Sequence, residues 1–273
     1  MVNKKLNINQ LSSIFQEAKP FPYVVIDDFF DTIFFDKLSE SLEAYYDDNK
    51  NNGGVKFNSK VEDGKWGSSG LSLSEELLTL GDFLQSLELR QLLESITGFK
   101  NLKITSDLNS SGYSFFHAMS PNSFLGPHTD HTVDMNGKSY HVLNIIIYAS
   151  KEWNANFGGS TTIHDKNGRI FSDVEFRPNR ALIFLHSPIS IHGTQRISEL
   201  ADKKRFSIYF DFYSDEANPY NHLMLPSFAK INSPHLFYFN NILDYLKPKN
   251  RKYFSLWKSH YKAKLMNIFK RKL

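Results

Sequence analysis

The chain has 273 residues, 41% of them hydrophobic and 15% aromatic, which is enough for one substantial core or at most two small domains. It contains no cysteine, which excludes disulfides, thiolate metal ligands and a cysteine nucleophile, so any bound metal must be held by nitrogen and oxygen. The sequence shows neither an apolar run of about 20 residues nor the apolar stretch of a secretory signal, so we expect a cytoplasmic protein.

The first 100 residues are predicted to be mainly a helical support. Residues 8–18 read as a short helix, and "YVVI", which follows two prolines, reads as a buried strand. A second helix is expected to begin after Asp31, its N-cap, and a further helix to end just before Gly98. The segment 49–70 is long, polar and rich in Gly, Asn and Ser, which is typical of a lid or of a flexible insertion.

From residue 101 the pattern changes from helix to strand. Short segments rich in β-branched and aromatic residues, such as "HVLNIIIYAS", "ALIFLHS" and "RFSIYFDFY", are separated by turn signals such as "NFGG" and "RPNR". Such strands without helical interruption indicate a sandwich, jelly roll or barrel, here over about residues 101–213. With helices on both sides of this core, the predicted fold class is α+β, in a single domain over residues 1–273.

The end of the chain is basic and amphipathic. Residues 246–273 carry ten Lys or Arg and no acid, so the rest of the chain is acidic although the net charge is +3. We predict a basic helical segment over residues 230–273, which either packs on its own core or a second subunit, or lies on an anionic membrane surface. Nucleic-acid binding is not expected, because the body is acidic and no recognised motif is present.

A metal-ligand pattern appears in "GPHTDHTVD". In a strand, His128 and Asp130 point to the same side, with Thr129 turned away. A third ligand must come from elsewhere in the chain, and His192 in "SPISIHGTQRI" is the best candidate. Two imidazoles and one carboxylate on one face leave open positions on the metal and suit non-haem Fe(II). A His-x-Asp sequence alone favours a solvated loop over a metal site, because such tripeptides arise often by chance.

A second signal is an arginine at the start of an apolar strand. Arg205 opens "RFSIYFDFY", and Ser207 lies on the same face two positions later. A buried arginine needs an anionic partner, which a small dicarboxylate provides through a bidentate pairing. The alternative is a structural ion pair with a carboxylate such as Asp173 or Glu175.

Together these segments resemble the Fe(II)- and 2-oxoglutarate-dependent dioxygenases of the prolyl-4-hydroxylase-like branch. The resemblance rests on "FLGPHTDH", "VLNIIIYASKEWNANFGGSTTIHD", "VEFRPNRALIFLHSPISIHGTQRI" and "RFSIYF", in the family's order, over residues 105–213. It implies a double-stranded β-helix (a jelly-roll or cupin-like core), with Fe(II), 2-oxoglutarate as cosubstrate, and O2. It also implies hydroxylation of an unactivated C–H bond, because halogenating relatives carry a small residue in place of Asp130. The competing hypothesis is a non-catalytic metal- or ligand-binding jelly-roll module.

The resemblance also assigns residues. It implies three iron ligands, namely His128, Asp130 and His192. It further implies that Arg205, supported by Ser207, binds the distal carboxylate of 2-oxoglutarate. Tyr148 at the end of "NIIIY" either places its phenol against that carboxylate or is an edge aromatic that covers the core.

The substrate side is less defined by the sequence. His117 stands where many family members have a tyrosine, and Tyr113 and Trp66 are further candidates for contact with substrate, Trp66 as the large apolar residue of the 49–70 lid. The substrate class implied is a small molecule, a sugar or glycan, or a peptide residue.

Overall fold

In the computed structural model of the protein, the described residues are 1–3, 5–58, 62–68, 74–104, 116–130, 139–165, 169–187, 189–216 and 235–237. Four helices precede the main β region: α1 (Ile8–Glu17), α2 (Thr32–Asn49), α3 (Glu75–Leu84) and α4 (Leu87–Thr97). Each begins at a side chain that accepts a backbone N–H, which satisfies one of the unpaired donors of the first turn; these caps are Asn7, Asp31, Ser74 and Ser86.

Gly98 ends α4 in the left-handed region, with φ of +80°, which a glycine adopts without the strain of a Cβ. The predicted helices after residue 8 and after Asp31 are therefore confirmed, as is the end at Gly98. The last helical stretch is two helices rather than one, because Ser86 caps a new start.

The β region is one antiparallel sheet that folds back on itself. Its strands are β1 (Tyr23–Ile26), β2 (Val55–Phe57), β3 (Glu62–Gly67), β4 (Phe116–Asp130), β5 (Tyr140–Tyr148), β6 (Thr161–His164), β7 (Ile170–Val174), β8 (Ala181–Leu185), β9 (His192–Thr194), β10 (Arg205–Ser214) and β11 (His235–Phe237). The order along the sheet is β1-β8-β5-β10-β4-β9-β6-β7, with β3 and β11 also paired to β4 and β2 paired to β3.

Strand β4 creates the double-layered form. Its first part pairs with β10, and its last part pairs with β9 after a register shift between Leu125 and His128. One long strand thus belongs to both layers, where the sequence had suggested separate short strands. The predicted jelly-roll class of fold, a double-stranded β-helix with N-terminal helices, is confirmed.

Strand β10 separates the core from the interior of the jelly roll. Its apolar residues alternate toward the helices and join the main hydrophobic core: Phe206, Ile208, Phe210 and Phe212. Its polar residues share the opposite side, here called the inner face: Arg205, Ser207, Tyr209 and Asp211. The period-two pattern of "RFSIYFDFY" therefore delivers four polar side chains into the interior.

The segment predicted as a lid contains a β-hairpin in its described part. Residues 55–57 and 62–67 form β2 and β3, and β3 pairs with β4. Trp66 is only 3% exposed; its indole N–H donates to the Gly53 carbonyl at 3.0 Å, and its ring packs edge-on against Tyr46. The lid interpretation is thus wrong for these residues, because the polar composition concealed a strand that buries its tryptophan. Trp66 is a core residue, not a substrate contact.

Of the C-terminal segment 230–273, which was predicted to be helical, the structure describes three residues. Residues 235–237 form a strand beside the end of β4, so the prediction of helix over 230–273 is wrong there. The rest of that segment and Tyr113 lie outside the described residues. Within the part of the chain that is described, no helix is both long and apolar enough to cross a membrane. The assignment of residues 1–273 to a single domain stays a prediction.

Candidate active site

Three predicted ligands converge between β4 and β9. His128 and Asp130 lie at the end of β4, and His192 opens β9 directly opposite His128 in the strand register. The Nε2 atom of His128 lies 3.4 Å from one oxygen of Asp130, and Nε2 of His192 lies 3.6 Å from the other. The three donor atoms all lie within 4.8 Å of one another, close enough to share one metal ion.

The other ring nitrogens fix the orientation of both imidazoles. Nδ1 of His128 donates to the Gly126 carbonyl at 2.9 Å, and Nδ1 of His192 donates to the Ser190 carbonyl at 3.0 Å. With Nδ1 donating, Nε2 is the nitrogen by which each ring would bind a metal. Burial, together with the neighbouring His128, lowers the pKa of His192 to about 4, so this imidazole is neutral at physiological pH. A neutral imidazole is the form that binds metals.

Asp130 is tied to a second carboxylate through an asparagine. The amide Nδ2 of Asn144 on β5 donates to Asp130 Oδ2 at 3.0 Å and to Asp211 Oδ1 at 3.1 Å. Asp211 also lies 3.5 Å from Nε2 of His141. Asn144, Asp211 and His141 are all buried.

Arg205 is a buried guanidinium that forms no ion pair with any residue the structure describes. It is 3% exposed; its Nε donates to the Gly159 carbonyl at 2.7 Å and its Nη1 to Ser207 Oγ at 3.2 Å. Burial lowers its pKa to about 10, so the group remains charged at pH 7. Among the described residues no carboxylate forms an ion pair with it.

The structural alternative for Arg205 does not hold. Glu175 pairs with Arg177 at 2.6 Å, and Asp173 is exposed on β7. The guanidinium instead lies 4.8 Å from the ring centre of Phe176 and 5.3 Å from that of Tyr148. The sequence-based expectation of an open anion position beside Arg205 therefore remains, and Asp173 and Glu175 are not its partners.

Tyr148 contacts the arginine through its ring. It is fully buried and stacks on Phe176 with ring centres 4.6 Å apart. Its hydroxyl donates to Thr161 Oγ1 at 2.7 Å and lies 3.3 Å from the Val174 carbonyl. Burial raises the pKa of Tyr148, so the phenol stays protonated. The structure thus shows a packing role for the ring, while contact of the phenol with a cosubstrate stays a prediction.

A row of side chains leads from the side of Asp130 toward the β2–β3 hairpin; its members are Tyr209, His117, Phe57, Lys65 and Glu62. The rings of His117 and Tyr209 stack with centres 4.3 Å apart, and Phe57 meets His117 edge-on at 6.1 Å. Lys65 places its ammonium 4.3 Å from the Phe57 ring centre and 2.9 Å from the carboxylate of Glu62. Both members of this ion pair are buried. Lys65 lies opposite Met119 in the β3–β4 register, and the sulfur of Met119 lies 3.9 Å from Arg205 Nη1.

Tyr209 is the member of this row that is influenced by the carboxylates of Asp130 and Asp211. Burial and the negative charges of Asp211 and Asp130 raise its pKa well above the usual value. The sequence reasoning missed four of these residues: Asn144, Tyr209, Asp211 and Lys65. A signal existed for the first three, since each is a polar residue in step with Tyr148 or Arg205 on an otherwise apolar strand.

Residues 114–213 match the family model of the 2OG-Fe(II) oxygenase superfamily. This stretch holds all three converging ligands and Arg205. This stretch therefore resembles the core of an Fe(II)- and 2-oxoglutarate-dependent oxygenase, and the resemblance inferred from the sequence is confirmed for residues 114–213. No curated protein sequence matches the chain.

Solved structures with the same fold include prolyl hydroxylases. A Pseudomonas putida prolyl-4-hydroxylase is 14% identical with a TM-score of 0.51, over 75% of this chain and 98% of that one. A Trichoplax adhaerens prolyl hydroxylase, in complex with a hypoxia-inducible-factor peptide, is 15% identical with a TM-score of 0.53, over 77% and 90%. The epimerase SnoN, in complex with Fe3+, alpha-ketoglutarate and nogalamycin RO, is 11% identical with a TM-score of 0.51, over 76% and 83%. These likenesses establish the fold.

Proposed function

We propose that the protein is an Fe(II)- and 2-oxoglutarate-dependent dioxygenase that hydroxylates an unactivated C–H bond of a small molecule, a sugar or a peptide residue. In this proposal the metal ligands are His128, Asp130 and His192. Arg205 and Ser207 bind the distal carboxylate of 2-oxoglutarate, with Tyr148 beside them.

The convergence of the three ligands is the observation that carries the proposal. Two imidazoles with their Nδ1 atoms already hydrogen-bonded, and one carboxylate, form the donor set that suits non-haem Fe(II) with positions left open. The buried guanidinium of Arg205 fits the second group, since it is charged and lacks an ion pair among the described residues. A non-catalytic jelly roll has no need to place such a cation on the same inner face.

Each residue of the site has a distinct role in the proposed reaction. When bound, iron, 2-oxoglutarate and O2 together supply the oxidation of a substrate C–H bond, coupled to decarboxylation of the cosubstrate. His128 and His192 hold the metal through Nε2, and Arg205 orients the cosubstrate by a charge-assisted hydrogen bond. The packed rings of Tyr148 and Phe176 beside Arg205 exclude water and so strengthen this pairing.

We propose that the substrate is bound beside the row that runs from Tyr209 and His117 to Lys65 and Glu62. The buried ion pair of Lys65 and Glu62 is costly to desolvate and is a weak source of stability, which favours a role in recognition. Of the three solved structures described above, one is a prolyl-4-hydroxylase, one is a prolyl hydroxylase in complex with a peptide, and one is an epimerase. Peptide and small-molecule substrates both remain within the proposal.

The location and contacts of the whole chain complete the proposal. We propose a cytoplasmic protein, in agreement with the lack of a membrane-crossing helix among the described residues. The basic segment 246–273 is proposed as a contact to a second subunit or an anionic membrane surface.

The test is turnover of 2-oxoglutarate by the full chain. Protein loaded anaerobically with Fe(II) and 2-oxoglutarate is exposed to O2, and succinate is measured with and without a panel of free amino acids, short prolyl peptides and oligosaccharides. We expect slow succinate release alone, faster release with a substrate, and none from His192→Ala. A folded wild-type protein that binds neither Fe(II) nor 2-oxoglutarate and forms no succinate would contradict the proposal.

A further inference from the structure

Asn144 is a lone amide in the apolar strand β5. It is 4% exposed, and its neighbours along the strand, Leu143 and Ile145, are buried hydrophobic residues. Burying an amide is unfavourable unless it is hydrogen-bonded. Asn144 makes two hydrogen bonds, and both go to carboxylates: 3.0 Å to Asp130 and 3.1 Å to Asp211.

These two bonds fix the orientation of the amide. Both protons of Nδ2 are used, whereas Oδ1 is buried and has no hydrogen-bond partner in the described part of the chain. A buried acceptor that lacks a donor is unfavourable for folding. The opposite orientation would turn the amide oxygen toward two carboxylates and leave both without this donor. The two carboxylates therefore decide how the amide lies.

The strand register shows what the amide connects. Asn144 lies directly opposite Asp211 in the β5–β10 pair, so these two residues share one side of the same layer. Asp130 belongs to the end of β4 that pairs with β9, in the other layer. Asn144 is thus a bridge from β5 and β10 to the carboxylate that faces His128 and His192.

We propose that Asn144 is a positioning residue for the metal site: it holds the carboxylate of Asp130 in the orientation that faces the two imidazoles, and Asp211 anchors the amide. This inference rests on the proposed function, since it treats Asp130 as a metal ligand. The amide donor also separates two like charges, which would otherwise face each other in a poorly solvated interior.

The test is the affinity of the full chain for Co(II), measured by absorption titration without 2-oxoglutarate. Asn144→Leu keeps a similar volume and removes both donors. We expect Co(II) binding to weaken by roughly 10- to 100-fold, the usual effect of losing such an outer partner. The Co(II) absorption spectrum should change shape, and 2-oxoglutarate should bind the metal-saturated variant as it binds wild type.

Asp211→Asn tests the anchor. If Asp211 acts through Asn144, its replacement weakens Co(II) binding in the wild-type background and adds little in the Asn144→Leu background. Simple additivity of the two effects would contradict the anchor. Asn144→Ser, whose side chain is too short to reach both carboxylates, serves if Asn144→Leu does not fold, and the same loss of affinity is expected.

Ser150→Ala is the matched control for a merely structural loss. Its buried hydroxyl accepts from Phe206 N and donates to the Lys204 carbonyl, away from the ligands. It should lower the melting temperature and leave Co(II) affinity unchanged. Folded Asn144 variants that bind Co(II) as tightly as wild type would overturn the inference. If His192→Ala also binds as tightly, or wild type does not bind at all, the metal site itself is refuted.

Discussion

Replacing Arg205 with Met should remove most of the affinity for 2-oxoglutarate and leave the affinity for the metal unchanged. The side chain is buried and charged, and its Nη2 makes no hydrogen bond to any described residue. In the proposal, this free end of the guanidinium receives the distal carboxylate. Met keeps most of the length and apolar volume but removes the charge and all five N–H donors.

The magnitude follows from the burial of the pair. Losing one partner of a buried, hydrogen-bonded charge pair costs 2–5 kcal/mol or more, and a central value of about 3 kcal/mol corresponds to roughly a 100-fold rise in Kd. The free energy of unfolding of the ligand-free protein should change little, since removing a buried charge that has no ion pair among the described residues offsets the lost hydrogen bond to Gly159. Arg205→Lys keeps the charge without the fork and should lose less affinity than the Met variant.

Calorimetric titration of 2-oxoglutarate into Mn(II)-saturated protein measures this change, and a separate Mn(II) titration measures the metal. Arg180→Met is the matched control, because Arg180 is also a buried arginine but forms an ion pair with Asp27 and donates to the Glu175 carbonyl. It should lower stability without changing the Kd of 2-oxoglutarate. Parallel loss of metal and 2-oxoglutarate binding in Arg205→Met, or unchanged 2-oxoglutarate binding, would refute the assigned role.

Three further predictions concern stability and the ligand strands. Arg180 lowers the pKa of Asp27 below 3.8, so this ion pair stabilises the fold above that pH and its contribution disappears as the pH falls further. Asp27→Asn should therefore lower the free energy of unfolding by about 1 kcal/mol at pH 7, a small loss because the carboxylate is half exposed. In strong acid the variant should be as stable as wild type, as measured by urea unfolding. Lys65→Met alone should cost about 3–5 kcal/mol, because it removes the cation from a buried ion pair and leaves the charge of Glu62 in the interior. The double replacement of Lys65 and Glu62 by Met should be near neutral in the same assay, and equal losses in the single and double variants would argue against this. A Cβ on Gly193 would lie 2.7 Å from the backbone oxygen of Leu125 on β4, so Gly193→Ala should push β9 away from β4. Because β9 carries His192, Co(II) binding should weaken by about tenfold or more. An unchanged Co(II) titration would contradict this prediction.

The sequence predicted the elements whose local pattern is strong. Asp31 and Gly98 marked helix ends because capping and the left-handed conformation depend on the residue itself. Alternation in "RFSIYFDFY" placed Arg205 and Ser207 on one side of a strand, and the inner face of β10 confirms this placement. His192 was inferred from motif order and resemblance, and its approach to His128 depends on a pairing of strands 64 residues apart, which no local pattern contains.

Other features could not be read from local patterns. The bridge from Asp130 through Asn144 to Asp211 joins three strands, so it depends on a register that only the folded sheet defines. Trp66 was misread because a polar stretch rich in Gly and Ser also fits a hairpin, and its burial arises from tertiary packing against Tyr46. The phenol of Tyr148 was left between two roles, and its bond to Thr161 depends on the neighbouring layer.

The most direct test of the central claim is the visible absorption of the full chain with Fe(II) and 2-oxoglutarate under anaerobic conditions. If His128, Asp130 and His192 hold one iron beside Arg205, the wild-type protein should develop the weak charge-transfer band of the chelated keto acid. His192→Ala should show no band, and Arg205→Met should show it only at much higher 2-oxoglutarate concentration. A well-folded wild-type protein without the band, or a His192→Ala variant that retains it, would contradict the account.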